Sequence, residues 1–293
     1  VPLTLSPIVA GLWRLPEWGL STAGLVAWID EALALGITSF DHADIYGGYT
    51  VEAAFGQALS AAPGLRDRLQ IVTKCGIKLV SPQRPQHAVK SYDSSRAHVV
   101  ASVEQSLRAL RTDRIDLLLL HRPDLLMDPD ELAGTFAALQ AAGKVLAFGV
   151  SNHMPDALAA LHRRHPLVAQ QIEFSPLQMA ALADGTLTQC VDLGLRAMAW
   201  SPLGGGRLFG DDPQARRVRD ALQALGAQDR HQGASVATMA YAWLLRHPAR
   251  PHPITGSGRM QALRDAVAAL TLPPMTAEDW YRVWQASMGR EVD

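Results

Sequence analysis

Eight short apolar runs, separated by stretches of helical period, constrain the fold of this 293-residue chain more than any other feature. The runs are "IVAGLW" (8–13), "ITSF" (37–40), "LQIVTK" (69–74), "IDLLLLH" (115–121), "VLAFGV" (145–150), "LVAQQI" (167–172), "LRAMAW" (195–200) and "HPITGS" (252–257). Several are almost unbroken in apolar residues, as strands covered on both faces are. Between them, "TAGLVAWIDEALALG", "TVEAAFGQALS", "SRAHVVASVEQSLRALR", "DPDELAGTFAALQAAGK", "MPDALAALHRR" and "TLTQCVDLG" read as helices. In the third, Val99, Val103, Leu107 and Leu110 fall on one face. In the fourth, Asp130 and Glu131 stand near the start and Lys144 near the end, with Gly143 as a stop. About eight β–α alternations without a Pro-, Gly- or Ser-rich linker predict an α/β protein with a single domain over 1–293. Closing eight parallel strands into a (β/α)8 TIM barrel is the economical architecture; an open doubly wound sheet is the alternative.

Composition narrows the function classes. Hydrophobic residues make up 48% and charged residues 19%, an ordinary globular balance. A formal net charge of −1 gives no electrostatic reason to expect nucleic acid or an anionic membrane as partner. Cys75 and Cys190 are too few for a disulfide scaffold or a four-thiolate metal site, and suit a reducing cytoplasm. No apolar run reaches the ~18 residues of a membrane helix, and no basic-then-apolar start suggests a signal peptide.

In such barrels the loops after the strands build the active site, so polar residues should collect at strand ends. They do. "FDHADIYGG" brings Asp41, His42, Asp44 and Tyr46 to one end, then turns through Gly47 and Gly48. "IVTKCG" ends in Lys74, "LLLLHRPD" carries His121, "FGVSNH" carries Ser151 and Asn152, "QQIEFSP" carries Gln171, and "AMAWSPLGGG" carries Trp200, Ser201 and three glycines. Each has a bland reading alone: a surface lysine, a structural histidine, an aspartate cap. Their recurrence at successive strand ends does not follow from independent capping.

Taken in order, "FDHADIYGG", "IVTKCG", "LLLLHRPD", "GKVLAFGVSNH", "QQIEFSPL" and "AWSPLGGG" resemble the aldo-keto reductase superfamily over nearly the whole chain, nearest a bacterial branch of mostly unassigned substrate. The resemblance implies a barrel that binds a nicotinamide cofactor and reduces a small aldehyde or ketone to an alcohol. No G-x-G-x-x-G follows an early strand, so no Rossmann domain is expected. It also implies a catalytic tetrad of Asp41, Tyr46, Lys74 and His121. Hydride arriving at a carbonyl carbon leaves negative charge on the oxygen, which needs a proton. A phenol of pKa near ~10 is a poor acid unless its anion is stabilised. Lys74 beside Tyr46 is expected to lower that pKa, Asp41 to hold Lys74, and His121 to bond the carbonyl oxygen. On that reading, loss of Lys74 moves the tyrosine's pKa upward, and loss of Asp41 moves it the same way but less. His42 and Asp44 are read as supporting groups.

The same resemblance implies the cofactor residues. Ser151, Asn152 and Gln171 match its hydrogen-bonding set for the carboxamide, and Trp200 its stacking aromatic. Ser201, Pro202, Leu203, Gly204, Gly205, Gly206 and Arg207 form the turn that lets backbone N–H groups approach a pyrophosphate. Gly11, Leu12 and Trp13 join this set. Leu12 and Trp13, with Trp18 and "KLVSPQRPQHAVKSYDSS", are also expected to line or cover the carbonyl pocket. In "PITGSGRMQALRDAV" the chain departs from the family pattern. The lysine and arginine that commonly surround a 2′-phosphate are Gly256 and Ala262 here, while Ser257, Gly258, Arg259 and Arg264 remain nearby. NADP(H) is the expected cofactor, with NAD(H) as the alternative. Two other readings stay open: a nicotinamide-binding, redox-sensing regulatory subunit, and a metal-dependent hydrolase using His42, Asp44 and His121.

Overall fold

A computed structural model describes residues 3–292 of the chain. Eight parallel strands close into a barrel: β1 (Val9–Gly11), β2 (Ser39–Asp41), β3 (Gln70–Cys75), β4 (Leu117–Leu120), β5 (Phe148–Ser151), β6 (Ala169–Glu173), β7 (Arg196–Trp200) and β8 (His252–Thr255). Each pairs with its neighbours in sequence, and β1 meets β8 through Val9 with Ile254 and Ala10 with Thr255. All eight expected strands are present, with ends shifted by a few residues. Pairing stops at Gly11 because Leu12, although its N–H still donates to the Asp41 carbonyl at 2.9 Å, begins a 3-10 turn.

Side chains alternate faces along a strand, and this parity locates the site. Val9, Val72, Leu117, Leu119, Ala169, Met198 and Ile254 pack together inside the barrel. Phe40, Ile71, Leu118, Leu120, Phe148, Ile172, Ala197 and Ala199 face the surrounding helices. Two residues beyond members of the inner layer stand Lys74, His121, Gln171 and Trp200, and Asp41 and Ser151 follow Ser39 and Gly149 by the same step. The polar residues therefore form the next layer up, at the carboxyl ends of the strands.

The helices start where capping chemistry allows. Ser21, Ser95, Asp128, Asp212, Ser235 and Thr276 each accept a backbone N–H of the first turn. Val99, Val103, Leu107 and Leu110 are all buried, as their spacing predicts. Three helices of ten residues or more fall in stretches the sequence pattern left unassigned: Pro213–Gly226, Val236–Leu245 and Ala277–Met288. The last stacks Trp280 on Trp243 at 4.8 Å, and each indole N–H donates to the other residue's carbonyl. Among the described residues no helix is long and apolar enough to cross a membrane.

Candidate active site

Strands β2 and β3 bring the central contacts together. The Lys74 ammonium, fully buried, donates to both Asp41 carboxylate oxygens at 2.8 Å, to the His42 carbonyl at 2.7 Å and to the Tyr46 hydroxyl at 3.1 Å. Tyr46 reaches this position because the chain turns just beyond it, with φ of 59° at Gly47 and 64° at Gly48. The His121 ring meets the Tyr46 ring edge-on at 5.9 Å. A buried ion pair is tolerable only when its remaining donors and acceptors are matched. Here Gln171 Nε2 also donates to Asp41 Oδ1 at 2.8 Å.

Burial and charge act against each other around this pair. Burial pushes the Lys74 pKa down, but Asp41 and Tyr46 outweigh it and the net shift is upward. The sequence predicts a lowered Tyr46 pKa; the structure places it above the usual phenol value. Burial is the largest cause, and the Asp41 charge adds to it, so Lys74 and Arg122 limit the rise rather than reverse it. Burial, then Lys74, Arg122 and Lys90, hold His121 well below the ordinary histidine range, so its ring is neutral at pH 7.

His42 and Asp44 lie behind the tetrad. His42 faces outward from the barrel against Phe55 at 4.4 Å, wholly buried, with both ring nitrogens unpartnered. Burial, then Lys74, pushes its pKa down to about 3. Asp44 is pushed well above the carboxylate range by burial and by Glu52, a neighbour the sequence reading missed. Glu52 accepts from Thr73 Oγ1 at 2.6 Å. Among the described residues no group of three or more His, Cys, Asp or Glu is placed to hold a metal ion, so His42, Asp44 and His121 do not converge as ligands. Cys75 is buried packing.

The model of the Aldo/keto reductase family matches residues 7–287. The chain belongs to the aldo/keto reductase family. It is 49% identical to the Escherichia coli K12 protein "Oxidoreductase YdhF", over 98% of this chain and 95% of that one. It is 43% identical to a "6-dehydroglucose reductase" of Agrobacterium fabrum C58, over 99% and 97%. The fold superposes on a holo aldo-keto reductase of Bacillus halodurans with a TM-score of 0.80 at 23% identity, covering 99% and 95% of the two chains. Like its family, this chain is an oxidoreductase that reduces small-molecule aldehydes or ketones and uses a nicotinamide cofactor.

The residues expected around that cofactor sit on one arc of the aldo/keto reductase barrel mouth. Ser151 and Asn152 are joined by Asn152 Nδ2 donating to Ser151 Oγ at 2.7 Å, and Trp200 Nε1 donates to Asn152 Oδ1 at 3.1 Å. Trp200 is half-buried, its indole open on the mouth side. The turn after β7 runs through φ of 51° at Ser201, 61° at Gly204, 66° at Gly205 and 102° at Gly206. The Gly204 and Gly206 N–H groups already donate to Ser201 and Leu203, so those two glycines give clearance rather than free donors. Pro202 is buried, Leu203 packs on the core, and Arg207 lies 3.7 Å from Asp212. Arg14, not singled out from sequence, donates to the Gly205 carbonyl at 3.2 Å and ties this turn to the one after β1. A turn open at Gly206, an indole on the mouth and the linked Ser151 hydroxyl and Asn152 amide fit a nicotinamide dinucleotide.

Other expected residues are placed differently. Leu12 is fully buried in the core, so its side chain neither lines a pocket nor meets a ligand. Gly11 lies against Ile254, where a Cβ would come within 2.8 Å. Trp13 is exposed beside Arg14, whereas Trp18 packs on Trp28 and over Gly258. The 78–95 stretch begins and ends in a small antiparallel pair, Ile77–Lys78 with Ser91–Tyr92, and Tyr49 accepts its Leu79 N–H at 2.9 Å. Gly256 and Arg259 are exposed, and Ser257 Oγ accepts the Arg259 N–H. Arg264 ion-pairs with Glu31 at 3.4 Å on the outer surface.

Proposed function

We propose that Tyr46 is the proton donor in carbonyl reduction and that Lys74, Asp41 and His121 support it. The observation that carries this reading is the buried Lys74 ammonium in contact with both Asp41 oxygens and the Tyr46 hydroxyl. Bound at the Trp200 arc, a reduced nicotinamide supplies hydride to the carbonyl carbon. Tyr46, protonated at neutral pH, gives its proton to the carbonyl oxygen, and Lys74 stabilises the phenolate left behind. His121, neutral by burial, donates a hydrogen bond to the same oxygen without giving up a proton. Water returns the proton to Tyr46. In alcohol oxidation the phenolate of Tyr46 is the base.

Ser151, Asn152, Gln171, Trp200 and the turn Ser201 to Arg207 are read as holding the cofactor, and NADP(H) as the preferred form. The support for NADP(H) is Arg259, exposed at the start of the helix Met260–Ala268 beside Gly256 and Ser257, with no ion pair among the described residues. Arg264 contributes less because Glu31 already holds it. Residues 1–293 are read as one domain, supported by barrel closure and by the span of the family match. We place the protein in the cytoplasm, where its two free, buried cysteines stay reduced.

The test is direct. Purified protein is titrated with NADPH and NADH by quenching of its tryptophan fluorescence, then assayed with a panel of aldehydes, ketones and sugars. Tighter NADPH binding together with turnover supports the reading. Cofactor binding with no turnover of any carbonyl favours the sensing subunit, and tighter NADH binding removes the role given to Arg259.

A further inference from the structure

Beside Trp200 lies a cleft of ≈ 340 Å³ whose walls include Arg122, Glu173, Asn152 and Gln178. Arg122 is half-buried, with its guanidinium carbon 5.8 Å from the Trp200 ring centroid. Among the described residues its N–H groups make no hydrogen bond or ion pair. The carboxylate of Glu173, also half-buried, makes no hydrogen bond or close ion pair among the described residues; burial raises its pKa, and the charges of Arg122 and Arg207 act against that rise from a distance. Several other polar groups of the cleft are engaged, although His153 Nε2, which also lines it, has no partner among the described residues. Asn152 holds Ser151 and Trp200, Gln178 Oε1 accepts from Ala180, and Asp184 accepts from Thr186.

A partly desolvated guanidinium and carboxylate that attract each other only from a distance still lack direct hydrogen bonds, and gain from a ligand that supplies them. A simple anion would suit Arg122 but meet Glu173, and a simple cation would do the reverse. Neighbouring hydroxyls satisfy both, because each hydroxyl donates and accepts. Arg122 directly follows His121 and its charge acts on both His121 and Tyr46, so this corner adjoins the reacting groups.

We propose that the cleft reads the hydroxyl groups of a polyhydroxylated carbonyl substrate, with Arg122 donating and Glu173 accepting. The proposal rests on carbonyl reduction at Tyr46. It assigns substrate selection to two residues outside the tetrad.

The experiment compares D-erythrose with butanal, the same carbon skeleton with and without hydroxyls, in the wild type and in Arg122→Met, Arg122→Lys and Glu173→Gln. Arg122→Met and Glu173→Gln should each lower the ratio of kcat/KM for erythrose over butanal by about 10-fold or more, mainly through KM. Arg122→Lys, which keeps the charge but loses the fork, should recover the ratio only in part. That separates hydroxyl binding from a charge effect on Tyr46, which would alter both aldehydes alike. Unchanged ratios, equal losses on both aldehydes, or weakened NADPH quenching in Arg122→Met would each overturn the proposal. Wild-type protein that turns over no carbonyl would overturn the reductase reading itself, and this proposal with it. Turnover without discrimination by the variants would overturn the cleft alone.

Discussion

The two sides of the barrel mouth handle charge in opposite ways. On the β2–β3 side, Lys74 and Asp41 are sealed from solvent and bonded to each other, with His42, Asp44 and Glu52 packed behind them. On the β7–β8 side, Arg207, Arg259 and Arg264 stand largely in water, and the two ion pairs there are loose or peripheral. A charge in the first setting cannot move without leaving its partner stranded, whereas one in the second can be replaced from a neighbouring position. On the proposed reading, this is why the four buried residues keep the pattern expected from sequence, while the region expected to meet a 2′-phosphate has Gly256 and Ala262 in place of lysine and arginine.

Six variants put this contrast under strain. Tyr46→Phe removes one proton donor without touching the solvent-facing side. It should lower kcat for carbonyl reduction by roughly 10²–10⁴-fold, with NADPH quenching retained; near-normal turnover by the folded variant would make the buried side structural only. Lys74→Met strands the Asp41 carboxylate, at a cost of about 3–5 kcal/mol in stability measured by denaturant titration. It should also move the alkaline limb of alcohol oxidation to higher pH, because Tyr46 loses the cation that holds its pKa down. Asp41→Asn separates the two charges. The Asp41 charge itself raises the Tyr46 pKa, so with Lys74 still protonated the limb should move to lower pH, opposite to the shared upward shift expected from sequence. An upward shift would mean that Lys74 had lost its proton along with Asp41.

The fourth variant tests the packing behind the pair. The folded pKa of His42, about 3, lies below the ordinary 6.5. Its neutrality therefore contributes stability that is complete above pH 6.5 and lost as pH falls towards 3, by up to a few kcal/mol. His42→Phe should keep its stability further into acid, read as a lower pH midpoint of unfolding by circular dichroism. An unchanged midpoint would show that other groups set acid unfolding. The smallest effects belong to the exposed side. Arg259→Ala should weaken NADPH binding by roughly 10-fold or more, from a charge-assisted contact of ~1.5–3 kcal/mol, and leave NADH unchanged. Arg264→Ala should change either cofactor by well under ~1 kcal/mol, since its exposed pair with Glu31 contributes little. Equal losses from both arginines would erase the distinction drawn between them.

The parity of the strands explains what could be read from sequence. Lys74, His121, Gln171 and Trp200 follow Val72, Leu119, Ala169 and Met198 by two residues, so the motif residues and the inner apolar layer carry one period. The sign of the Tyr46 shift was not legible, because burial depends on the whole mouth and not on Lys74 alone. Arg122 stood in the quoted "HRPD", yet only the structure shows that its guanidinium makes no hydrogen bond or close ion pair among the described residues. Glu52 is a helical residue whose link to Thr73 and Asp44 crosses between elements. The helix Pro213–Gly226 was legible and missed: Asp212 and Pro213 announce it, and Ala215, Val218, Leu222 and Leu225 mark its buried face. Val236–Leu245 is apolar almost all round, a pattern that periodicity alone does not tell from a buried strand.

Barrel closure has a consequence for assembly in time. The seam between β1 and β8 joins Val9 to Ile254, and His252 Nδ1 lies 2.9 Å from the Ser6 carbonyl, a separation of 246 residues. Every other strand pair can form between near neighbours as the chain lengthens, but this one waits until Thr255 has been made. Until then β1 has a single partner and an open edge, and its loop-closure entropy is the largest in the sheet. A growing chain can therefore carry Asp41, Tyr46, Lys74 and His121 in place along a curved sheet while its rim is still unsealed. Synthesis past β8 converts that sheet into a ring, so the last strand made is the one that protects the first.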